Sequence, residues 1–248
     1  MSKTINIFGF HSLESLIQNN PELVLKVLIQ NGRKDKRIIA LSKILSSNKI
    51  PCLIADKDSM DEISKGEVHQ GIISEVRLPP LLNEDSLLDS ISRNNQDHLI
   101  LILDSIQDPR NLGACLRSAN AAGVSQVIIN KDNSSPINAS VYKTSAGAIN
   151  NLQIFHVTNI SRTIKEIQKR GIWVVGLDGS SKTSLYNINL TGSIAIVVGS
   201  EGKGIRQLIK KNCDQVASIP MSGNIESLNV SVAAAISLFE TKRQKEST

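Results

Sequence analysis

Aromatic residues are scarce in this sequence. Of its 248 residues, four are Phe, two are Tyr and one is Trp. A protein that binds single-stranded nucleic acid mainly by stacking bases on aromatic side chains needs more of them. If this chain binds nucleic acid, phosphate contacts and backbone donors must therefore supply most of the binding.

Residues that bind metals or form disulfides are also few. The scattered cysteines, odd in number, are Cys52, Cys115 and Cys213. They show neither a disulfide framework nor the spacing of a metal site, so we expect free thiols in a reducing compartment. The histidines are His11, His69, His98 and His156. Their spacing does not suit a metal, and no G-x-S-x-G elbow supports a Ser–His–Asp triad, although such a triad stays open.

Long apolar runs and a signal core are absent as well. No run approaches the ~18 apolar residues that a membrane span requires, and Met1–Thr4 does not lead into an apolar signal core. We expect a soluble, cytoplasmic protein without a membrane partner. The net charge of +5 mildly favours an anionic partner such as RNA or DNA.

Helix and strand patterns alternate along the chain. The pattern predicts a small α/β domain over residues 1–76, a linker over 77–96 that contains Pro79 and Pro80, and a larger α/β domain over 97–248. In the larger domain, helices are predicted over 112–122 and 139–149. Such alternation indicates a mostly parallel sheet covered on both faces, which binds ligands beyond the carboxyl ends of its strands.

The first candidate motif follows the apolar strand 99–103. Asn111 is suited to the N-cap of the following helix, because Pro109 stiffens the approach. Gly113 and Arg117 are four residues apart, so Arg117 projects over the small surface of Gly113. Arg117 either reaches an anionic group or is a solvated helix residue.

The second candidate motif is a turn with several glycines after a buried strand. Gly199, Gly202 and Gly204 permit unusual backbone angles and close approach to a ligand, and Glu201 lies among them. A plain tight turn is the alternative. The G-x-G-x-x-G spacing of a dinucleotide site is absent. Upstream, the segment 176–183 nearly matches a P-loop, but Ser181 stands where glycine is required, which argues against nucleotide hydrolysis.

The third candidate motif is the segment 219–235. A polar loop carrying Glu226, Ser227 and Asn229 runs into a helix of small residues. Small residues allow close approach of backbones, and Ser or Asn at a helix start binds the free amides there. We therefore expect a ligand site in this loop.

Together the motifs resemble those of the SpoU-type (TrmH-class) RNA ribose 2′-O-methyltransferases of the SPOUT superfamily. The residues that carry the resemblance are Asn111, Gly113, Arg117, Gly199, Glu201, Gly202, Pro220, Ser227, Leu228 and Asn229. The segments 9–13 and 68–72 resemble that family's L30e-like substrate-binding domain. Within the family, the bacterial enzymes that methylate a guanosine of 23S ribosomal RNA are the most similar.

The resemblance implies a C-terminal SPOUT domain closed by a trefoil knot, in which S-adenosylmethionine binds. Gly199, Ile219 and Leu228 would hold this cofactor, with Gly202 and Met221 nearby. The resemblance also implies 23S ribosomal RNA as the partner, with neither DNA nor a metal. It further implies a homodimer formed through the catalytic domain, with active sites that combine residues of both subunits.

Roles for the catalytic candidates also follow from the resemblance. Because a guanidinium is a poor proton acceptor, we expect Arg117 to bind a phosphate and to stabilise the developing alkoxide. The alternative that Arg117 itself takes the proton stays open. Asn111, together with Ser227 or Asn229, would orient the hydroxyl. Glu201 would orient the loop or Arg117. Two alternatives stay open, a transfer-RNA ribose methyltransferase and a non-catalytic RNA-binding protein with the same knot.

The N-terminal block carries a basic cluster. Its members are Lys26, Arg33, Lys34, Lys36 and Arg37. We expect it to dock RNA, and a solvated charged face is the alternative.

Overall fold

The computed structural model describes residues 4–78, 82–93, 97–223 and 227–247. Its contacts divide the chain into two compact units. The first comprises the described residues up to Leu78 together with Ile137–Asn151, and the second comprises the other described residues. Each unit has its own sheet, and the α/β class is confirmed. The domain bounds 1–76, 77–96 and 97–248 stay a prediction.

The first unit is built on a mixed four-stranded sheet. Its strands are β1 (Thr4–Phe8), β2 (Val24–Gln30), β3 (Cys52–Ala55) and β4 (Ile72–Arg77). Their order in the sheet is β1-β4-β2-β3, with β4 antiparallel to both neighbours and β3 parallel to β2. The helices are α1 (Phe10–Asn19), α2 (Lys36–Ser47) and α3 (Lys57–Ser64).

Capping residues set the starts of two of these helices. The side chain of Asp35 accepts a hydrogen bond from the backbone N–H of Ile38 at the start of α2. Asp56 does the same for Ser59 at the start of α3. Helix α2 buries Ile38, Leu41 and Leu45, whose spacing places them on one face.

The second unit is built on a parallel six-stranded sheet. Its strands are β5 (Leu99–Asp104), β6 (Gln126–Asn130), β7 (Gln153–Val157), β8 (Trp173–Leu177), β9 (Ile194–Gly199) and β10 (Gln215–Ala217). Their order is β10-β8-β9-β5-β6-β7, and each neighbouring pair is parallel. Every residue of β5 and β9 is buried, as expected for central strands covered on both faces.

Helices accompany this parallel sheet. They are α4 (Glu84–Arg93), α5 (Pro109–Ala122), α7 (Ile160–Gln168), α8 (Gln207–Asn212) and α9 (Val230–Glu246), while α6 (Ala139–Ser145) belongs to the first unit. One apolar cluster of the second unit joins Leu87 and Ile91 of α4 to Ile160, Ile164 and Ile167 of α7. Burial of each such side chain contributes about 1.5–3 kcal/mol of favourable free energy.

The 77–96 segment, predicted as a linker, contains helix α4, because Leu87 and Ile91 lie four residues apart and bury one face in an otherwise acidic stretch. The helix expected over 139–149 ends at Ser145, since Ala146 and Gly147 adopt positive φ angles.

A further correction concerns the start of α5. Its N-cap is Asp108, whose carboxylate accepts a hydrogen bond from the backbone N–H of Arg110 at 2.8 Å. Pro109 occupies the first helical position, where its missing N–H costs nothing. Asn111 therefore lies inside the first turn, and its side chain is available for other contacts.

No helix within the described ranges is long and apolar enough to cross a membrane.

The cap at Asp108 yields a stability prediction. Asp108→Ala should lower the free energy of unfolding by about 1 kcal/mol, because an N-terminal amide of α5 loses its acceptor. Urea denaturation measures the change. Arg110→Ala is the matched control, since Arg110 is exposed in the same turn. Equal losses in the two variants would contradict the assignment of the cap.

Candidate active site

Four neighbouring strands end at one edge of the parallel sheet. In the register, Asp104 at the end of β5 lies opposite Gly199 at the end of β9. Gly176 of β8 lies opposite Val197, and Ala217 of β10 lies opposite Leu177. The loops that follow these strands, which carry the candidate motifs, therefore leave from the same edge, where parallel sheets bind ligands.

Three polar side chains from distant segments meet beyond this edge. Asn111 Nδ2 donates to Glu201 Oε1 at 2.5 Å, and Asn229 Nδ2 donates to the same oxygen at 2.7 Å. Asn229 Nδ2 also lies 3.1 Å from Asn111 Oδ1, which accepts from it. We call Asn111, Glu201 and Asn229 the polar triad. The structure thus brings together three of the five residues expected to be catalytic.

Asn229 is held by a second set of contacts. It is the N-cap of α9, and its Oδ1 accepts from the backbone N–H of Ser231 at 2.9 Å and from the hydroxyl of Ser231 at 2.6 Å. With Oδ1 committed to the helix, Nδ2 is directed at Glu201. Within the described residues, Glu201 Oε2 makes no hydrogen bond, so one carboxylate oxygen can accept from a ligand.

The glycine-rich turn folds tightly enough to present Glu201. A Cβ on Gly199 would lie 2.0 Å from the carbonyl carbon of Gly204 and 2.2 Å from the nitrogen of Ile205. Gly202 has a φ of 75°, and the Gly204 N–H donates to the Ser200 carbonyl at 2.9 Å. Gly199 is therefore required by the close approach of backbone, and Gly202 by a left-handed conformation.

An ion pair that the sequence analysis missed fixes the far end of this turn. Asp104 is fully buried, and its Oδ1 accepts from Arg206 Nε at 2.8 Å and Nη2 at 2.7 Å. Its Oδ2 accepts from the backbone N–H of Arg206 at 3.1 Å. The available signal was an acid that ends a wholly apolar strand, because a buried carboxylate requires a partner.

Arg117 forms no bond with the polar triad. It is exposed on α5 and makes no hydrogen bond or ion pair with any described residue. Glu201 contacts Asn111 and Asn229, and a Glu201–Arg117 contact is absent from the described part of the chain. Ser227 is exposed and likewise has no partner there.

The residues expected to bind the cofactor follow the ends of β9 and β10. Gly199 is buried, Ile219 and Leu228 are half-buried, and Gly202 and Met221 are exposed. The backbone groups of Ile219, Met221 and Leu228 form no hydrogen bond with another described residue. They are therefore free to bind a ligand. Positions 224–226 of the third motif lie outside the described residues.

Cys115 borders the site without taking part in its chemistry. Burial raises the pKa of its thiol to about 12, and the negative charge of Glu201 acts in the same direction. A thiol with this pKa is neutral at physiological pH, which excludes it as a nucleophile. Among the residues that the structure describes, no group of three or more His, Cys, Asp or Glu side chains could hold a metal.

Comparison with protein families gives two matches that together span most of the chain. The SpoU rRNA Methylase family matches residues 98–239. The family described as RNA 2′-O ribose methyltransferase substrate binding matches residues 6–81. The polar triad and the cofactor candidates all fall in the first match.

Individual relatives are similar over nearly the full length. The chain is 44% identical over 239 residues to the 23S rRNA (guanosine-2′-O-)-methyltransferase RlmB of Escherichia coli K12, covering 96% of this chain and 98% of that protein. For RlmB of Haemophilus influenzae the identity is 43% over 240 residues, covering 96% and 97%. The crystal structure of the SpoU methyltransferase AviRb from Streptomyces viridochromogenes with AdoMet shares the fold, with a TM-score of 0.82, 23% identity and coverage of 97% and 90%.

The turn after β9 yields a prediction about stability. Gly199→Ala should lower the free energy of unfolding by about 1–3 kcal/mol, because its Cβ would overlap the backbone at Gly204. Gly223→Ala is the control, because nothing lies within 4 Å of a Cβ built there. Thermal denaturation compares the two variants. An unchanged midpoint temperature for Gly199→Ala would contradict the close approach of Gly199 to the Gly204 backbone.

Proposed function

Since the chain belongs to the SpoU rRNA methylase family, we propose that it methylates the ribose 2′-hydroxyl of a guanosine in 23S ribosomal RNA, with S-adenosylmethionine as the methyl donor. The observation that supports this most directly is the polar triad, which lies at the ligand-binding edge of the sheet in a chain that matches RlmB along nearly its full length. A ribosomal RNA substrate would place this activity in the cytoplasm.

The residues at the sheet edge fit this cofactor. Ile219, Met221 and Leu228 offer apolar side chains and free backbone donors and acceptors, which suit an adenine ring and a ribose. We propose that they hold it together with Gly199 and Gly202. When bound, S-adenosylmethionine supplies an electrophilic methyl group on a sulfonium sulfur.

The polar triad would position the nucleophile. The Asn111 and Asn229 side chains are locked by Glu201 Oε1, and Glu201 Oε2 is free to accept a hydrogen bond. Holding the ribose hydroxyl in line with the methyl group supplies much of the rate of such a reaction, because proximity and orientation replace an unfavourable entropy. Glu201 is thus proposed as a positioning residue, and the exposed Ser227 is proposed to contact the ribose.

Arg117 would act on the RNA. Its guanidinium is exposed and unpaired within the described residues, so it is available for a phosphate and for the charge that develops on the 2′-oxygen. A guanidinium stays protonated at physiological pH, and its contribution is therefore electrostatic. Because Arg117 makes no hydrogen bond or ion pair with the triad of its own chain, we propose that it works in an active site completed by a second copy.

A homodimer is the assembly that such a shared site requires. The exposed face of α9 carries Val232, Ile236 and Phe239, which recur at helical spacing, and Val232 and Phe239 are 45% and 46% exposed. We propose that this apolar stripe is covered by the second subunit. We also propose residues 1–76 as the RNA-binding domain, 77–96 as the connecting segment and 97–248 as the methyltransferase domain.

The proposed activity is tested by mass spectrometry of nucleosides. Ribosomal RNA from cells that lack the endogenous enzyme is incubated with the protein and S-adenosylmethionine, with transfer RNA in parallel. We expect 2′-O-methylguanosine to appear in 23S rRNA and to be lost with Arg117→Ala. Methylation of transfer RNA alone would favour a tRNA enzyme. Cofactor binding without any transfer would favour a non-catalytic RNA-binding protein.

The geometry of the guanidinium is tested by Arg117→Lys. The lysine keeps the charge but loses the planar fork that binds a phosphate through two hydrogen bonds. We expect the kcat for 23S rRNA to fall by about 100-fold, as for the loss of one charge-stabilising donor, while the affinity for S-adenosylmethionine is kept. Turnover near that of the unmodified protein would overturn this role.

The dimer is tested by Phe239→Asp. A carboxylate in an apolar interface is unfavourable because it must be desolvated without a partner. Sedimentation equilibrium should show dimers for the unmodified protein and monomers for the variant, with loss of methyl transfer. Trp173→Asp is a control, since Trp173 is similarly exposed, at 47%, but lies on β8 and not on α9. A dimer that survives Phe239→Asp would exclude the stripe as the interface.

A further inference from the structure

The first unit contains a cavity of its own. Its volume is about 770 Å³, and its lining includes Phe10, Gln30, Arg33, Arg37, His69 and Gln70. Ligand pockets for small molecules and cofactors range from about 300 to 1,000 Å³, so a nucleotide fits this volume. We call it the N-terminal cavity.

Two guanidinium groups cover an aromatic ring at this cavity. The Arg37 Cζ lies 4.1 Å from the centroid of the Phe10 ring, and the Arg33 Cζ lies 5.3 Å from it. Phe10 is itself buried, so the surface offered to a ligand is the guanidinium and not the ring. The side chain of Arg37 is 42% exposed, so part of it is accessible to a ligand.

Both arginines are held in place by acids. Arg33 donates to Asp35 Oδ2 through Nε at 2.9 Å and Nη2 at 2.7 Å, and its Nη1 donates to the Gln70 carbonyl. Arg37 donates through Nη2 to Glu14 Oε2 at 3.1 Å. These contacts orient the guanidinium planes before a ligand arrives, which lowers the entropy lost on binding.

Hydrogen bonds within the protein also fix the wall of the cavity formed by His69, Gln70 and Gly71. The Nδ1 of His69 accepts from the backbone N–H of Gly71 at 3.0 Å, so Nε2 carries the proton that faces Asp61 Oδ1 at 2.9 Å. Gln70 and Gly71 have φ angles of 51° and 72°. A Cβ on Gly71 would lie 2.7 Å from Arg33 Nη1, so the arginine packs directly against this turn.

Uncommitted polar groups face the same space. The side chains of Gln30, Gln70 and Lys57 make no hydrogen bond with any described residue, and all three line the cavity. The acids of the lining are already engaged, since Asp61 faces His69 and Glu67 binds Lys143. A ligand therefore meets two amides, an ammonium group and a guanidinium plane.

We propose that the N-terminal cavity binds one unpaired nucleobase of the substrate RNA, which stacks on Arg37 while Gln30 and Gln70 bind its edge. Splayed bases in RNA loops are commonly recognised by stacking on guanidinium planes and by hydrogen bonds to their edges. Lys57 is available for the adjoining phosphate. This inference rests on the proposed function, because the RNA is the substrate proposed above. It assigns the recognition of one base to residues of the first unit.

The test uses Arg37→Lys in the full chain, with Arg77→Lys as the matched control. Both variants keep the charge and lose a guanidinium plane, but Arg77 is exposed at the other end of β4 from Gly71. On protein-free 23S rRNA, Arg37→Lys should raise KM about tenfold, the lower range for one lost base contact. Its kcat, its affinity for S-adenosylmethionine and the salt dependence of its RNA binding should be unchanged. Arg77→Lys should match the unmodified protein.

A second variant keeps the inference testable if Arg37→Lys does not fold, as judged by circular dichroism. Gln30→Leu removes one amide without a change of charge, and it should also raise KM without changing kcat. Wild-type KM values in a folded Arg37→Lys variant, or in Gln30→Leu, would overturn the inference. If the unmodified protein does not methylate RNA at all, the proposed function itself fails, which is a distinct outcome.

Discussion

The hydrogen bonds that Glu201 Oε1 accepts from Asn111 and Asn229 are the interaction on which the rest of the site depends. They join the first turn of α5, the turn after β9 and the start of α9, which are far apart in the chain. Hydrogen bonds to an ionised acceptor are stronger than those between neutral groups, so one carboxylate can hold two amides at fixed angles. Several cofactor candidates lie in or beside the same segments, since Gly199 ends β9, Gly202 belongs to the turn after it and Leu228 directly precedes Asn229.

The turn that carries Glu201 is fixed at both ends. At one end, the contact between Gly199 and the backbone of Gly204 leaves no room for a side chain. At the other, the buried Asp104 binds both the backbone and the guanidinium of Arg206. Removal of one partner from such a pair leaves a buried charge uncompensated, which is costly. Packing and charge together thus fix the position of the Glu201 carboxylate, although the turn contains three glycines.

The sequence correctly predicted those parts of the fold that depend on the local pattern of apolar and polar residues. Alternating strands and helices predicted the parallel sheet, and the resemblance to the SpoU family is confirmed. The errors have physical causes. The acidic residues of 83–89 obscured the apolar pair, Leu87 and Ile91, that α4 buries. Asn111 was predicted as the N-cap of α5, but Asp108, which precedes Pro109 and is an equally suitable capping residue, caps the helix instead. The contacts of Glu201 with two asparagines join residues far apart in sequence, so no local pattern could identify those partners. For Asp104, the sequence indicates that a buried carboxylate needs a partner, but not that Arg206 supplies it.

A double-mutant cycle on Glu201 and Asn229 is the measurement that tests this account most directly. The values of kcat/KM for methyl transfer to 23S rRNA are compared among the unmodified protein, Glu201→Ala, Asn229→Ala and the double variant. Because the two side chains act through one hydrogen bond, the account predicts that their effects are not additive, with a coupling of about 1 kcal/mol or more. Additive losses, within about 0.3 kcal/mol, would show that the two residues act independently and would contradict the central role of the polar triad.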